Sequence, residues 1–86
     1  MPSSPLSPTE EAVLRTLLSA EGRVMSRATI ARDSGLGHLS ARRTDSVIAT
    51  LRVRLGEDSV VTIRQRGWML TAVGTVRARE ALSWSV

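Results

Sequence analysis

Apolar residues recur at helical spacing in two stretches of this chain and alternate along a third. Val13, Leu14, Leu17 and Leu18 fall on one face of a helix that opens at Ser7-Pro8-Thr9-Glu10. Ser7 is the expected N-cap, Pro8 suits the first helical position, and Glu10 completes a capping box. With Gly22 just past its end, this predicts a first helix over about 8–20. Ser26 can cap a second helix over about 27–34, with Ala28, Ile30 and Ala31 available for burial and Gly35 and Gly37 to end it. Ser40 can cap a third over about 41–55, which Gly56 ends. Projected at about 100° per residue, Thr44, Val47, Ile48, Leu51 and Leu55 of this third helix cluster on one side and are expected in the core. Arg42, Arg43, Ser46, Ala49, Thr50 and Val53 fall on the opposite side.

The alternating stretch is Ser59-Val60-Val61-Thr62-Ile63, followed by the turn Arg64-Gln65-Arg66-Gly67 and a return strand, Trp68-Met69-Leu70. With residues 23–25 this predicts a three-stranded antiparallel sheet, with strands at about 23–25, 59–64 and 67–71. Trp68 lies within the strand pattern beside Leu70 and is expected in the core rather than as a base-stacking platform. A C-terminal helix over about 75–82 is compatible with the pattern, with Val76, Leu82 and Trp84 available to pack back. The organisation expected is a Pro/Ser-rich disordered tail over 1–6, one domain over 7–71 and a C-terminal extension over 72–86.

Charge sharpens this picture. The chain has 86 residues, a single small domain's worth, with 12 basic and 8 acidic residues for a net charge of +4. Residues 1–40 are balanced, whereas 41–70 hold Arg42, Arg43, Arg52, Arg54, Arg64 and Arg66 against three acids. The excess positive charge thus sits on the third helix and the hairpin, which favours a polyanionic partner. Arg42 and Arg43 occupy the helix's first turn, where the dipole disfavours cations; together with the free backbone N–H groups they suit a phosphate. The outer face between them and the hairpin is built of small side chains that allow close approach to a groove wall, and Ala49 or Val53 is placed to touch a thymine methyl. Asp45 is expected to pair with Arg42 or Arg43.

The chemistry available is narrow. There is no Cys and one His, so neither a disulfide framework, a metal site nor nucleophile–base catalysis is expected, and no cofactor. Gly35-Leu36-Gly37 is too short for a phosphate cradle. His38 is either a phosphate contact or an ordinary loop residue. With two aromatics, RNA binding by base stacking is disfavoured. No apolar run approaches the ~20 residues of a membrane span and the N-terminus does not resemble a signal peptide, so a cytoplasmic protein is expected.

Helix, short strand, helix, turn, long helix and hairpin, in that order, make an α+β winged helix-turn-helix. The sequence resembles, in particular, the DNA-binding effector domain of OmpR/PhoB-type response regulators. Leu6-Ser7-Pro8-Thr9-Glu10 is similar to the family's L-T-P-T-E opening, and Gly22-Arg23-Val24-Met25-Ser26-Arg27 to its G-R-V-V-S-R segment. Thr44-Asp45-Ser46-Val47-Ile48 through Leu51-Arg52-Val53-Arg54-Leu55-Gly56 follows its recognition helix, and Thr62 to Leu70 its wing, T-V-R-G-x-G-Y-R-L. The likeness covers about residues 6–70.

The resemblance implies a sequence-specific binder of double-stranded DNA that acts as a transcription regulator, not an enzyme, with the third helix in the major groove and the wing at the minor groove. By position, the DNA contacts it implies fall on the helix among residues 42–54, here Arg42, Arg43, Ser46, Val47, Ala49, Thr50, Val53 and Arg54, on phosphate at Thr62 and in the minor groove at Arg64; from its charge, Arg66 is expected to join them at the wing. The chain departs from the family at Val47, Ala49 and Thr50, where His or Arg is common, and at Gln65-Arg66, where Gly is common. The loop before the third helix, which often contacts RNA polymerase in the family, is short here. The few residues before Leu6 are not expected to form the family's receiver domain or its four-stranded N-terminal sheet. Monomer and weak dimer on tandem sites both stay open. The alternative function is a winged helix used as a protein-interaction module, docking on RNA polymerase or on another regulator.

Overall fold

The computed structural model describes residues 6–35 and 41–83. Within them the order is α1 (Pro8–Ser19), α2 (Arg27–Asp33), α3 (Ala41–Leu55), β1 (Val60–Ile63), β2 (Gly67–Leu70) and α4 (Ala72–Ser83). The expected capping box is present. The Ser7 side chain accepts from the Glu10 backbone N–H at 3.2 Å, and Glu10 Oε1 accepts from the Ser7 N–H at 3.1 Å. Ser26 caps α2 in the same way through the Thr29 N–H. Ser40, His38 and the turn over 36–40 lie outside the described residues, as do residues 1–5 and Trp84.

The core is one cluster formed by the four helices and the hairpin. α1 contributes Val13, Leu14 and Leu17, α2 contributes Ile30, and α3 contributes Val47, Ile48, Leu51 and Leu55. The buried side of the hairpin adds Val60, Trp68 and Leu70. α3 therefore buries the face that its periodicity assigns to the core, at roughly 1.5–3 kcal/mol for each large side chain fully removed from water. Leu6, expected in the tail, is buried here too.

Two expectations are corrected. The sheet has two strands, with Val60 opposite Leu70 and Thr62 opposite Trp68. Of residues 23–25, Met25 alone forms a bridge, exchanging hydrogen bonds with Trp68 at 2.8 and 3.0 Å. The cause is local: the chain turns at Glu21 and Gly22, and α2 begins after Ser26, so a single residue is left alongside β2. Gly67 permits the approach. It has φ of 139°, and a Cβ there would lie 1.9 Å from the Met25 carbonyl oxygen.

The second correction concerns the C-terminal helix. α4 starts at Ala72, not near 75, because the Thr71 hydroxyl accepts from the Gly74 N–H at 2.9 Å and so caps it. Ala78 and Leu82 join the core, so α4 is packed into the domain rather than appended to it, while Val76 faces solvent. Arg77 secures the junction: its Nη1 donates to the Leu55 carbonyl at 2.8 Å and to Asp58 Oδ1 at 2.6 Å. It thereby satisfies a carbonyl at the end of α3, where a cation is also favoured by the helix dipole.

At the hairpin tip Arg66 N–H donates to the Ile63 carbonyl at 2.9 Å, and Gln65 takes φ of 64°. That left-handed backbone costs a residue with a Cβ about 1 kcal/mol or more. Gln65→Gly is therefore expected to raise the unfolding free energy by about 0.5–1 kcal/mol, read from urea midpoints at unchanged m-value. A fall in midpoint contradicts the strain assigned to this turn.

Candidate nucleic-acid interface

Arg52 joins α3 to the hairpin. Its Nε donates to the Val60 carbonyl at 3.2 Å and its Nη2 to Thr62 Oγ1 at 2.9 Å. Thr62 lies opposite Trp68 in the register and is exposed. The helical projection shows why Arg52 can do this. It flanks the buried stripe of Ile48, Leu51 and Leu55, where a long side chain can lie over the edge of the neighbouring strand.

The outer face of α3 is exposed at Arg42, Arg43, Ser46, Ala49 and Val53, and half-buried at Thr50. Val53 is 82% exposed, more than any other large apolar side chain among the described residues. The Thr50 hydroxyl donates to the Ser46 carbonyl at 3.1 Å, so its proton stays on the helix. Arg64 and Arg66 at the hairpin tip are exposed, and neither makes an ion pair with a described residue. The same is true of Arg42.

Two contact assignments change. Val47 is 4% exposed and sits in the core cluster between α3 and its neighbours, so it is removed from the set facing outward. Its place in the family pattern is a surface position, but the phase of this helix turns it inward with Ile48 and Leu51. Arg54 is tied to Glu10 at 3.0 Å, with the carboxylate largely shielded, so part of its charge is spent on the start of α1. Thr62 keeps its expected place at the surface, with its hydroxyl held by Arg52.

Asp45 pairs with neither Arg42 nor Arg43. It receives both Nε and Nη2 of Arg27, at 2.7 and 3.1 Å, a bidentate link between α2 and α3. The Arg27 guanidinium carbon also lies 5.6 Å from the Trp68 ring centroid, within range of a cation–π contact. Both partners of the pair are half exposed, so the link contributes at most about 1 kcal/mol. Its value is geometric: it sets α2 against α3 and the wing at once. Arg27 and Arg52 are the two interface residues to which the sequence pattern assigned no part. The paired donors of a guanidinium next to a helix start, and an Arg flanking a core stripe, were the available signals.

Among the described residues no group of three or more His, Asp or Glu is arranged to hold a metal ion, and no helix is long and apolar enough to cross a membrane. Neither the curated proteins nor the solved structures include a match to this chain. The family described as "transcriptional regulatory protein, C terminal" does match, over residues 3–70, which takes in α1, the helix-turn-helix and the whole wing. An uncharged helix face flanked by exposed arginines, in a winged α+β fold matched over most of its length, places the chain in that family: it is a DNA-binding transcription regulator domain of the OmpR/PhoB type.

Proposed function

We propose that the chain binds double-stranded DNA sequence-specifically, with α3 in the major groove and the Arg64–Gly67 tip at the adjoining minor groove. The observation that carries this reading is the Arg52 link between α3 and β1, which ties an exposed helix face of small side chains to a hairpin whose two tip arginines make no ion pair with a described residue. A helix with its side chains is about 10–12 Å across, close to the ~12 Å width of the major groove. Arg42 and Arg43 then meet phosphate at the start of α3, and Ser46, Ala49, Thr50 and Val53 face base edges. Thr62 offers its hydroxyl proton to a phosphate while Arg52 holds its oxygen. Arg64 enters the minor groove and Arg66 adds a backbone contact.

An amide NMR titration with pooled random duplexes tests this arrangement. Signals of Ser46 to Val53 and of Arg64 to Gly67 are expected to shift, and the shifts to shrink steeply as salt is raised. Shifts confined to α4 and α1, or none at all, sink the reading and favour a module that docks on protein, RNA polymerase included.

A further inference from the structure

The reading surface of α3 holds few groups that can hydrogen-bond a base. Ser46, Ala49, Thr50 and Val53 follow one another at steps that keep them on one stripe of the helix. The Thr50 proton is used on the Ser46 carbonyl. The guanidiniums of the helix's last two turns are used as well, Arg52 on Val60 and Thr62, Arg54 on Glu10. No Asn, Gln, Lys or His lies on the described part of the helix. The side-chain forks that pair with guanine O6 and N7, or with adenine N6 and N7, are thus missing from its C-terminal half. What that half presents instead is the Ala49 methyl and the 82% exposed isopropyl group of Val53.

We infer that this surface recognises operator DNA by the 5-methyl groups of thymine, with Val53 and Ala49 as specificity-determining residues and T-rich steps as the substrate class. The inference rests on the DNA-binding reading above. In the major groove the methyl is the sole apolar group that a base pair offers, and it marks thymine alone. An isopropyl group carried in water at 82% exposure loses that hydration when it meets such a methyl, and gains nothing against the polar edge of a G·C pair. Arg42 at one end and Arg64 and Arg66 at the other hold the duplex, and the apolar groups of Ala49 and Val53 between them decide among sequences.

Deoxyuracil separates the methyl from everything else, because it keeps thymine's hydrogen-bonding edge and loses only the methyl. A site is first selected from random duplexes with the full chain, then resynthesised with deoxyuracil at one thymine at a time. One or two positions are expected to weaken binding about four-fold each, the ratio equivalent to about 0.8 kcal/mol for one buried carbon. At one of them Val53→Ala should largely erase the penalty, and because Val53 is exposed this variant keeps the fold. If the thymine site is bound selectively yet every deoxyuracil duplex binds equally well, this inference falls and DNA binding stands. If the penalties persist undiminished in Val53→Ala, the methyls are read elsewhere and the assignment to Val53 falls. If selection yields no preferred duplex, the sequence-specific reading itself falls.

Discussion

Gly74→Ala lowers the unfolding free energy by about 2–3 kcal/mol, although it replaces a helix-interior glycine by the best helix former. Propensity alone argues the other way, since Ala over Gly in a helix is worth about 1 kcal/mol of added stability. The neighbourhood decides the sign. A Cβ at Gly74 would lie 1.9 Å from the Ser59 carbonyl oxygen and 2.7 Å from its carbon, both backbone atoms held at the start of the hairpin. They cannot swing aside as a side-chain tip would, so α4 must lift away from β1.

Lifting α4 disturbs interactions that are spaced along the whole junction. The Thr71 hydroxyl donates to the Asp58 carbonyl at 2.6 Å, and the Thr71 N–H to the Ser59 carbonyl at 3.0 Å. Arg77 caps the end of α3, and Ala78 and Leu82 lie in the core beyond it. Overpacking of a tight site costs about 1–3 kcal/mol, and each hydrogen bond loosened adds about 0.5–1.5. Together these exceed the propensity gain. For a domain of this size the loss corresponds to a fall in Tm of roughly 10–20 °C. Val76→Ala is the control on the same helix. Val76 is exposed, so its replacement leaves stability within about 0.5 kcal/mol or raises it slightly. A Gly74→Ala protein with a Tm equal to or above that of the parent shows that α4 does not rest on Ser59 as described.

The same helix marks where the sequence pattern stops being readable. A glycine inside a run reads as a breaker, and Ala72-Val73-Gly74 follows a strand directly, so a helix start near 75 is the natural expectation. The structure begins it at Ala72 because Thr71 caps it and because glycine is what lets the two backbones touch. Both facts depend on a neighbour distant in the chain, the Asp58–Ser59 turn, which periodicity does not see. Where the deciding interactions are local, expectation and structure coincide: the Ser7–Glu10 capping box, the Ser26 cap, the buried stripe of α3 and the two strands of the hairpin all follow from nearby residues. The third strand failed for a local reason too, since a turn and a cap crowd Met25 from both sides.

The interface divides along the same line. Which residues of α3 face outward is a matter of helical phase, and phase alone already puts Val47 in the core, against its place in the family pattern. Which arginines are committed to partners is not a matter of phase. Arg54 is taken by Glu10 from α1, Arg27 by Asp45 from α3, and Arg52 by the hairpin. These are tertiary partners, and no spacing along the chain announces them.

That sorting of the arginines sets the largest effect expected on binding. Removing both wing charges, Arg64→Ala together with Arg66→Ala, weakens duplex binding on the order of thirty-fold at 0.15 M salt, at about five-fold for each positive charge withdrawn from the duplex. The slope of log K against log salt becomes shallower by about 1.8, because two fewer counterions are released. Stability stays within about 0.5 kcal/mol, since both side chains are exposed and make no ion pair with a described residue. Arg54→Ala behaves differently: it loosens the link to Glu10 at the start of α1 and costs less than about five-fold in binding, because its charge is already shared. Most of the wing variant's loss falls alike on a selected site and on a scrambled one, as it is a loss of positive charge against the duplex, whereas any loss from Val53→Ala falls on the selected site alone. Binding within about two-fold of the parent and an unchanged salt slope, measured by fluorescence anisotropy across a salt series, would remove the wing from the interface.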